Sequence, residues 1–272
     1  MKECSVARVA IGEIRRFGAV NWLGFWTLYQ KEVRRFIKVY TQTLLAPMVT
    51  TLLYLSIFLL ALGGAGRMVG GVPYGTFLAP GLMMMAMTQN AFANTSSSIV
   101  ISKVQGNIVD LLMPPISPAE AVLAMALGGA TRGVVVGCAV AVAVMLFVHL
   151  PLQSLPQVLF FGFFGSLMLS LLGIIGGIWS EKFDQIAAVT NFVITPASFL
   201  SGTFYSVEAL PERWRFVAHL DPFFYMIDGF RSGFIGHADA NRMLGMAVMS
   251  GLDVVLLAIA YTMFARGYKL KA

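Results

Sequence analysis

The chain has 272 residues, 58% of them hydrophobic and 12% charged, about half the charged fraction of an ordinary soluble domain. That composition excludes a soluble globular protein, and several apolar runs reach the roughly 20 residues that cross a hydrocarbon core of about 30 Å. The net charge of +6 does not point to nucleic acid, because the basic residues gather at the edges of apolar blocks, where they orient a membrane protein.

Barrel strands would show short alternating segments, so the expected class is an all-α polytopic membrane protein. Two units are expected. Residues 1–40 form a cytoplasmic tail and an interfacial helix, and residues 41–272 form a transmembrane domain of six helices. Cys4 and Cys138 are too differently placed for a disulfide, and no metal-ligand spacing exists. The first 40 residues are too charged for a cleaved leader.

Met1 to Ala19 is a mixed tail, expected to be partly disordered. From Trp22 to Lys38, Trp22, Phe25, Trp26, Tyr29, Val33, Phe36 and Ile37 recur at helical spacing. Lys31, Glu32, Arg34, Arg35 and Lys38 fall largely on the other side. The pattern predicts a helix lying along the membrane surface, aromatic face down and charged face toward anionic head groups. A simple positive anchor for the first span is the alternative.

Spans are expected at about 42–61, 74–101, 121–148, 157–179, 186–200 and 243–265. The second carries an unusually polar half, Thr88 to Ser98, including Gln89, Asn90, Asn94 and Ser97. Lipid would penalise that face, so it should point at other helices or a cavity. The third is rich in glycine and alanine, which let helices approach closely. Between spans five and six, charges interleave with Trp214, Phe216, Phe223, Phe224, Tyr225 and Phe230. Two short helices broken at Pro222, dipping into the outer leaflet, would satisfy that pattern.

Between spans two and three lies the stretch Lys103 to Pro118. Gln105, Gly106, Asn107, Ile108, Val109, Asp110, Leu111, Leu112, Met113 and Pro114 make a short helix with an apolar side, stopped by Pro114-Pro115. Such a helix either is an ordinary connector or docks in a groove of another protein. Thirteen of the nineteen basic residues fall on the side of the termini and this loop, and five on the other. The excess places both termini and the loop in the cytoplasm.

Two charges, Arg132 and Asp253, fall inside spans at similar expected depths. Either they pair, or each reaches water or backbone carbonyls alone. No phosphate-binding loop, nucleophile elbow or His-Glu-x-x-His helix is present, so the chain is not expected to hydrolyse nucleotide. A self-sufficient secondary transporter or channel would carry inverted repeats and more buried ionisable groups. A lipid-acting enzyme would need the outer residues Glu208, Glu212, His219, Asp221 and Asp228 to cluster.

The chain resembles a permease of the ABC-2 type exporter family. The resemblance is carried by Tyr29 to Phe36, by Asp110 to Ser117, and by Phe199 to Tyr205 with Leu210-Pro211 and Pro222 after it. Ser206 stands where many relatives have proline. The resemblance implies a second permease chain, identical or closely related, and a cytoplasmic ABC ATPase that holds the ATP and Mg; this chain itself carries no cofactor. It further implies that Gln105 to Pro114 is the coupling helix, that Tyr29, Lys31, Glu32, Arg34 and Arg35 also touch the ATPase, and that the polar stretch with Gln89, Asn90, Asn94 and Ser97 lines the transport route or the subunit seam. The cargo would be a lipid-linked glycan, polysaccharide, drug or similar amphiphile, exported across a bacterial plasma membrane.

Overall fold

The computed structural model describes residues 20–62, 67–69, 71–207 and 211–270. The N-terminal tail, Glu208 and Leu210 lie outside the described residues. Helix α1 (Trp22–Ile37) leads through a π-helical turn (Thr41–Leu45) into α2 (Ala46–Leu62). A two-residue hairpin, β1 (Met68–Val69) and β2 (Val72–Pro73), precedes α3 (Tyr74–Val104). Then come α4 (Ile108–Leu112), α5 (Pro118–Met145) and α6 (Leu155–Trp179). Next, α7 (Phe183–Val189) and α8 (Thr195–Leu200) flank a second π-helical turn, followed by α9 (Glu212–Leu220), α10 (Pro222–Ile235) and α11 (Arg242–Ala265).

The helix boundaries follow local chemistry. Helix α3 ends where Gly106 takes a left-handed conformation, φ 72°, with its N–H on the carbonyl of Lys103, a conformation that suits glycine. Helix α5 begins three residues before the expected Ala121, because Ser117-Pro118-Ala119-Glu120 forms a capping box with proline in the first turn.

Helix α3 is the axis of the bundle, packed by α5, α6 and α10. It runs 31 residues, roughly 46 Å at 1.5 Å per residue. Its hydroxyls meet small residues on its neighbours. Thr95 donates to the carbonyl of Ser170 at 2.7 Å, and Ser170 donates to that of Ala126 at 2.8 Å. A Cβ on Gly133 would come within 2.7 Å of Ser166 Oγ, and one on Gly177 would sit 3.0 Å from Ile99 Cβ. These glycines admit the close approach that membrane helices use for packing.

Among the described residues, four helical stretches are long and apolar enough to cross a membrane: Thr41–Ala61, Pro118–Met145, Leu155–Trp179 and Arg242–Ala265. Helix α3 is as long but too polar to join them. Its buried Thr88, Asn94, Thr95, Ser96 and Ser98 are shielded from lipid by neighbouring helices instead. The expected fifth span is the interrupted stretch α7–α8, whose Phe192 and Val193 are exposed.

The segment after α8 departs from expectation in part. Helices α9 and α10 do break at Pro222, and Trp214, Phe216 and Leu220 of α9 are exposed. Helix α10, however, is no shallow wedge. Phe223, Phe224, Met226, Ile227, Phe230 and Phe234 are buried. Gly229 lies against the Phe161 ring, and Gly233 is close to Val158, so α10 sinks between α3, α6 and α11.

Candidate functional site

The chemistry concentrates at the end of the bundle where α1, α4 and the N-terminus of α5 meet. Leu28, Glu32 and Phe36, one turn apart on α1, are buried. Glu32 was expected on the charged outer side of α1, yet it is 1% exposed. Gly128 of α5 makes the room, since a Cβ there would stand 2.6 Å from Glu32 Cβ. Ser98 Oγ donates to Glu32 Oε1 at 2.7 Å, and Arg35 Nη2 lies 3.1 Å from Glu32 Oε2. Burial lowers the Arg35 pKa from the ordinary arginine value, and the neighbouring Glu32 carboxylate opposes that shift. Tyr29 is also turned inward, its hydroxyl 3.0 Å from that of Thr131. Of the five α1 residues singled out, Lys31 and Arg34 remain exposed.

The start of α1 is lashed to the loop that follows α4. Asn21 caps α1 by accepting from the Gly24 N–H at 2.9 Å and donates its side-chain amide to the carbonyl of Pro115 at 2.9 Å. The Glu120 carboxylate accepts from the backbone N–H of Asn21 at 2.7 Å and from that of Ser117 at 2.7 Å. One carboxylate therefore closes the α5 capping box and holds the first residue of the α1 joint. Helix α4 is about one turn and a half, shorter than the expected segment. Ile108 is buried and Leu111 packs inward, while Val109, Leu112 and Met113 are exposed. Gln105, Gly106, Asn107, Asp110 and Pro114 are exposed around it.

Beside this joint, a cavity of about 630 Å³ opens between α1, α2, α3 and α5. Gln89, Asn90, Asn94 and Ser97 all line it, so the structure gathers the expected pathway residues on one wall. Arg132 lines it too, donating to Asn90 Oδ1 at 3.1 Å and to Asn94 Oδ1 at 3.5 Å. Arg35 donates to the backbone carbonyl of Asn94 and, at 3.5 Å, to Ser97 Oγ.

Of the two alternatives for Arg132 and Asp253, the pair does not form. Arg132 turns two of its donor nitrogens to the two asparagines, and both Asp253 oxygens are buried without a hydrogen-bond partner among the described residues. Similar depth does not bring two side chains together when their helices present them to different neighbours. The asparagine partners sit at i and i+4 on α3, a spacing that puts both on one face.

Two further clamps fix the bundle ends. Lys103 Nζ donates to the carbonyls of Ile178 and Ser180 at 2.6 and 2.7 Å, capping the C-terminus of α6, where a cation is favoured. Lys269, 3.0 Å from Glu181, hydrogen-bonds to that carboxylate and holds it below the usual carboxylate range. At the other end Arg231, 3% exposed, donates to the carbonyl of Gly202 at 2.6 Å and lies 3.9 Å over the Phe77 ring. Tyr74 donates to the carbonyl of Phe204 at 2.9 Å. The turn Ser201 to Tyr205 is thus held from α3 and α10. Asp221 caps α10, and Asp228 accepts from the N–H groups of Asp239 and Ala240 at 3.0 Å each. These acids hold local structure, and among the described residues no group of His, Cys, Asp and Glu is arranged to hold a metal.

Comparison with known proteins bears on what this architecture serves. The family model of ABC-2 type transporters matches residues 24–235. Inner membrane transport permease YadH of Escherichia coli (strain K12) is 34% identical over 251 residues, covering 92% of this chain and 98% of the relative. Nodulation protein J of Rhizobium leguminosarum bv. viciae is 28% identical over 258 residues, covering 92% and 95%. The matched span runs from α1 through the lashed α4 joint to α10, and the chain belongs to the ABC-2 type transporter family.

Proposed function

We propose that this chain is the membrane subunit of an ATP-driven exporter, worked by a separate cytoplasmic ATPase that holds the ATP and Mg and grips α4. Helix α3 and the α7–α8 stretch complete six spans, which puts both termini on one side. The basic excess on that side supports a cytoplasmic location for it, and the printed name of the Escherichia coli relative supports an inner-membrane one. A second copy of the chain, or a close relative, completes the pathway, and the cargo is an amphiphile moved outward.

The observation that carries this reading is the joint at Asn21, Pro115 and Glu120. ATP can bias a pore only through contacts that differ between its states. A partner pressing on Val109, Leu112 and Met113 moves a loop bonded directly to the start of both α1 and α5. A floppy connector would dissipate that motion. Lys31 and Arg34, exposed on α1, offer the same partner a basic flank.

The test is co-purification of the cognate ATPase with full-length chain carrying Val109→Asp and Met113→Asp. Both positions are exposed, so the fold should survive. Loss of the complex is expected; a complex of unchanged yield and stoichiometry contradicts the assignment.

A further inference from the structure

The cavity beside the α1–α5 joint has an unusual charge balance. Two guanidinium groups converge on one residue, Asn94: Arg35 reaches its backbone carbonyl and Arg132 its side-chain oxygen. They are near enough for their like charges to interact. Arg35 has a counter-charge in Glu32. Arg132 has none among the described residues, since its hydrogen-bond partners are neutral amide oxygens and Asp253 does not reach it. Among the described residues, no aspartate or glutamate lines the cavity.

A cation held inside a membrane helix without a counter-ion is costly. Here the donors are not used up either. Nε of Arg35, Nε of Arg132 and the side-chain nitrogen of fully buried Asn94 have no hydrogen-bond partner among the described residues. These three atoms are buried behind the lining, and the two guanidinium groups in front of them make that cavity wall cationic. The facing wall differs in character: Ala46, Pro47, Thr50, Thr51 and Tyr54 of α2 give it an apolar and hydroxyl surface, and Leu82 and Met85 continue the α3 wall as apolar side chains beyond the asparagines.

We infer that this cavity binds the anionic head of an amphiphile, a phosphate- or carboxylate-type group, at Arg132, Arg35 and Asn94, with the apolar portion laid along α2. The inference rests on the export reading above for its biological meaning, and it narrows the cargo to a negatively charged class. Guanidinium donors match such oxygens with short, charge-assisted bonds. The apolar side chains among the lining give an amphiphile contacts that a free hydrated anion cannot make.

The test uses the full chain in phosphatidylcholine nanodiscs, titrated with dodecyl phosphate, dodecyl maltoside and inorganic phosphate. Dodecyl phosphate is expected to bind at least about tenfold more tightly than either comparator, one charge-assisted contact's worth. Arg132→Gln is expected to erase that preference and Arg132→Lys to restore part of it. Thr50→Trp, an exposed position on the far wall, should block binding while leaving both arginines intact; it keeps the inference testable if Arg132→Gln does not fold.

Equal affinity for the phosphate and the maltoside overturns the inference, as does an unchanged preference in both Arg132→Gln and Thr50→Trp. Inorganic phosphate binding as tightly as dodecyl phosphate overturns the amphiphile assignment in favour of a free anion. None of these results touches the ATPase complex, which is read separately through α4.

Discussion

The Glu120 carboxylate accepts the backbone N–H of Asn21 at 2.7 Å, across 99 residues of chain. That bond turns two helices and a loop into one lever. Glu120→Ala should loosen the first turn of α1, raising its hydrogen-exchange rate while the bundle core keeps its protection. If α1 and the core exchange as in the unaltered protein, the bond is incidental.

Asn21→Ala removes the α1 cap and the tie to Pro115 together. Loss of an asparagine cap costs about 1 kcal/mol, and the change should appear as a lowered unfolding midpoint in detergent. Asn21→Asp keeps the cap but not the amide donor, so it should recover only part of the loss.

Gly128 and Glu32 touch back to back, and a methyl group at residue 128 has no space. Gly128→Ala should therefore destabilise by about 1–3 kcal/mol through overpacking. Glu32→Ala should cost about 2 kcal/mol by stranding Arg35, less than the cost for a fully buried pair, because the Arg35 side chain keeps 29% of its exposure. Thermal unfolding of both variants and of their double mutant measures it. The double mutant should lose less than the sum, since the smaller residue 32 relieves the clash.

Asp253 is 4% exposed and unpartnered among the described residues. A buried polar group without a partner costs roughly 1–3 kcal/mol, so Asp253→Leu should raise the unfolding midpoint. A lowered midpoint would mean that the carboxyl has a partner in the assembled transporter.

Arg231→Lys should behave nearly as badly as Arg231→Ala. The guanidinium stacks on Phe77 while donating to the carbonyl of Gly202, and an ammonium cannot do both in that geometry. Either change should cost about 2–3 kcal/mol, as for a charged hydrogen bond, and should speed proteolysis of the turn at residues 201–205.

Much of the fold is written in spacing. The aromatic periodicity locates α1 to within a residue, and the apolar runs place α6, α11 and the first long stretch, Thr41–Ala61, within two, although a π-helical turn delays the start of α2 to Ala46. Ser117-Pro118-Ala119-Glu120 carries the true start of α5, because a capping box outranks the first apolar residue as a helix signal. The inward turn of Glu32 is not visible in α1 alone. It depends on Gly128 and Ser98, which no local pattern connects to it. The polar half of α3 signals an interior wall but not which helix faces it, since depth along a helix says nothing of azimuth. That is why Arg132 meets Asn90 and Asn94 instead of Asp253. Gly229 and Gly233, four residues apart among phenylalanines, are a packing signal that marks α10 as buried; its aromatic content alone suggested a surface helix.

The most direct measurement is flux through proteoliposomes loaded with a fluorescent long-chain phosphate monoester, with this chain reconstituted alone or with its cognate ATPase and ATP. The account predicts sustained transport only when the ATPase is present, and its loss when Val109 and Met113 become aspartate. Sustained, saturable flux by this chain alone would contradict it.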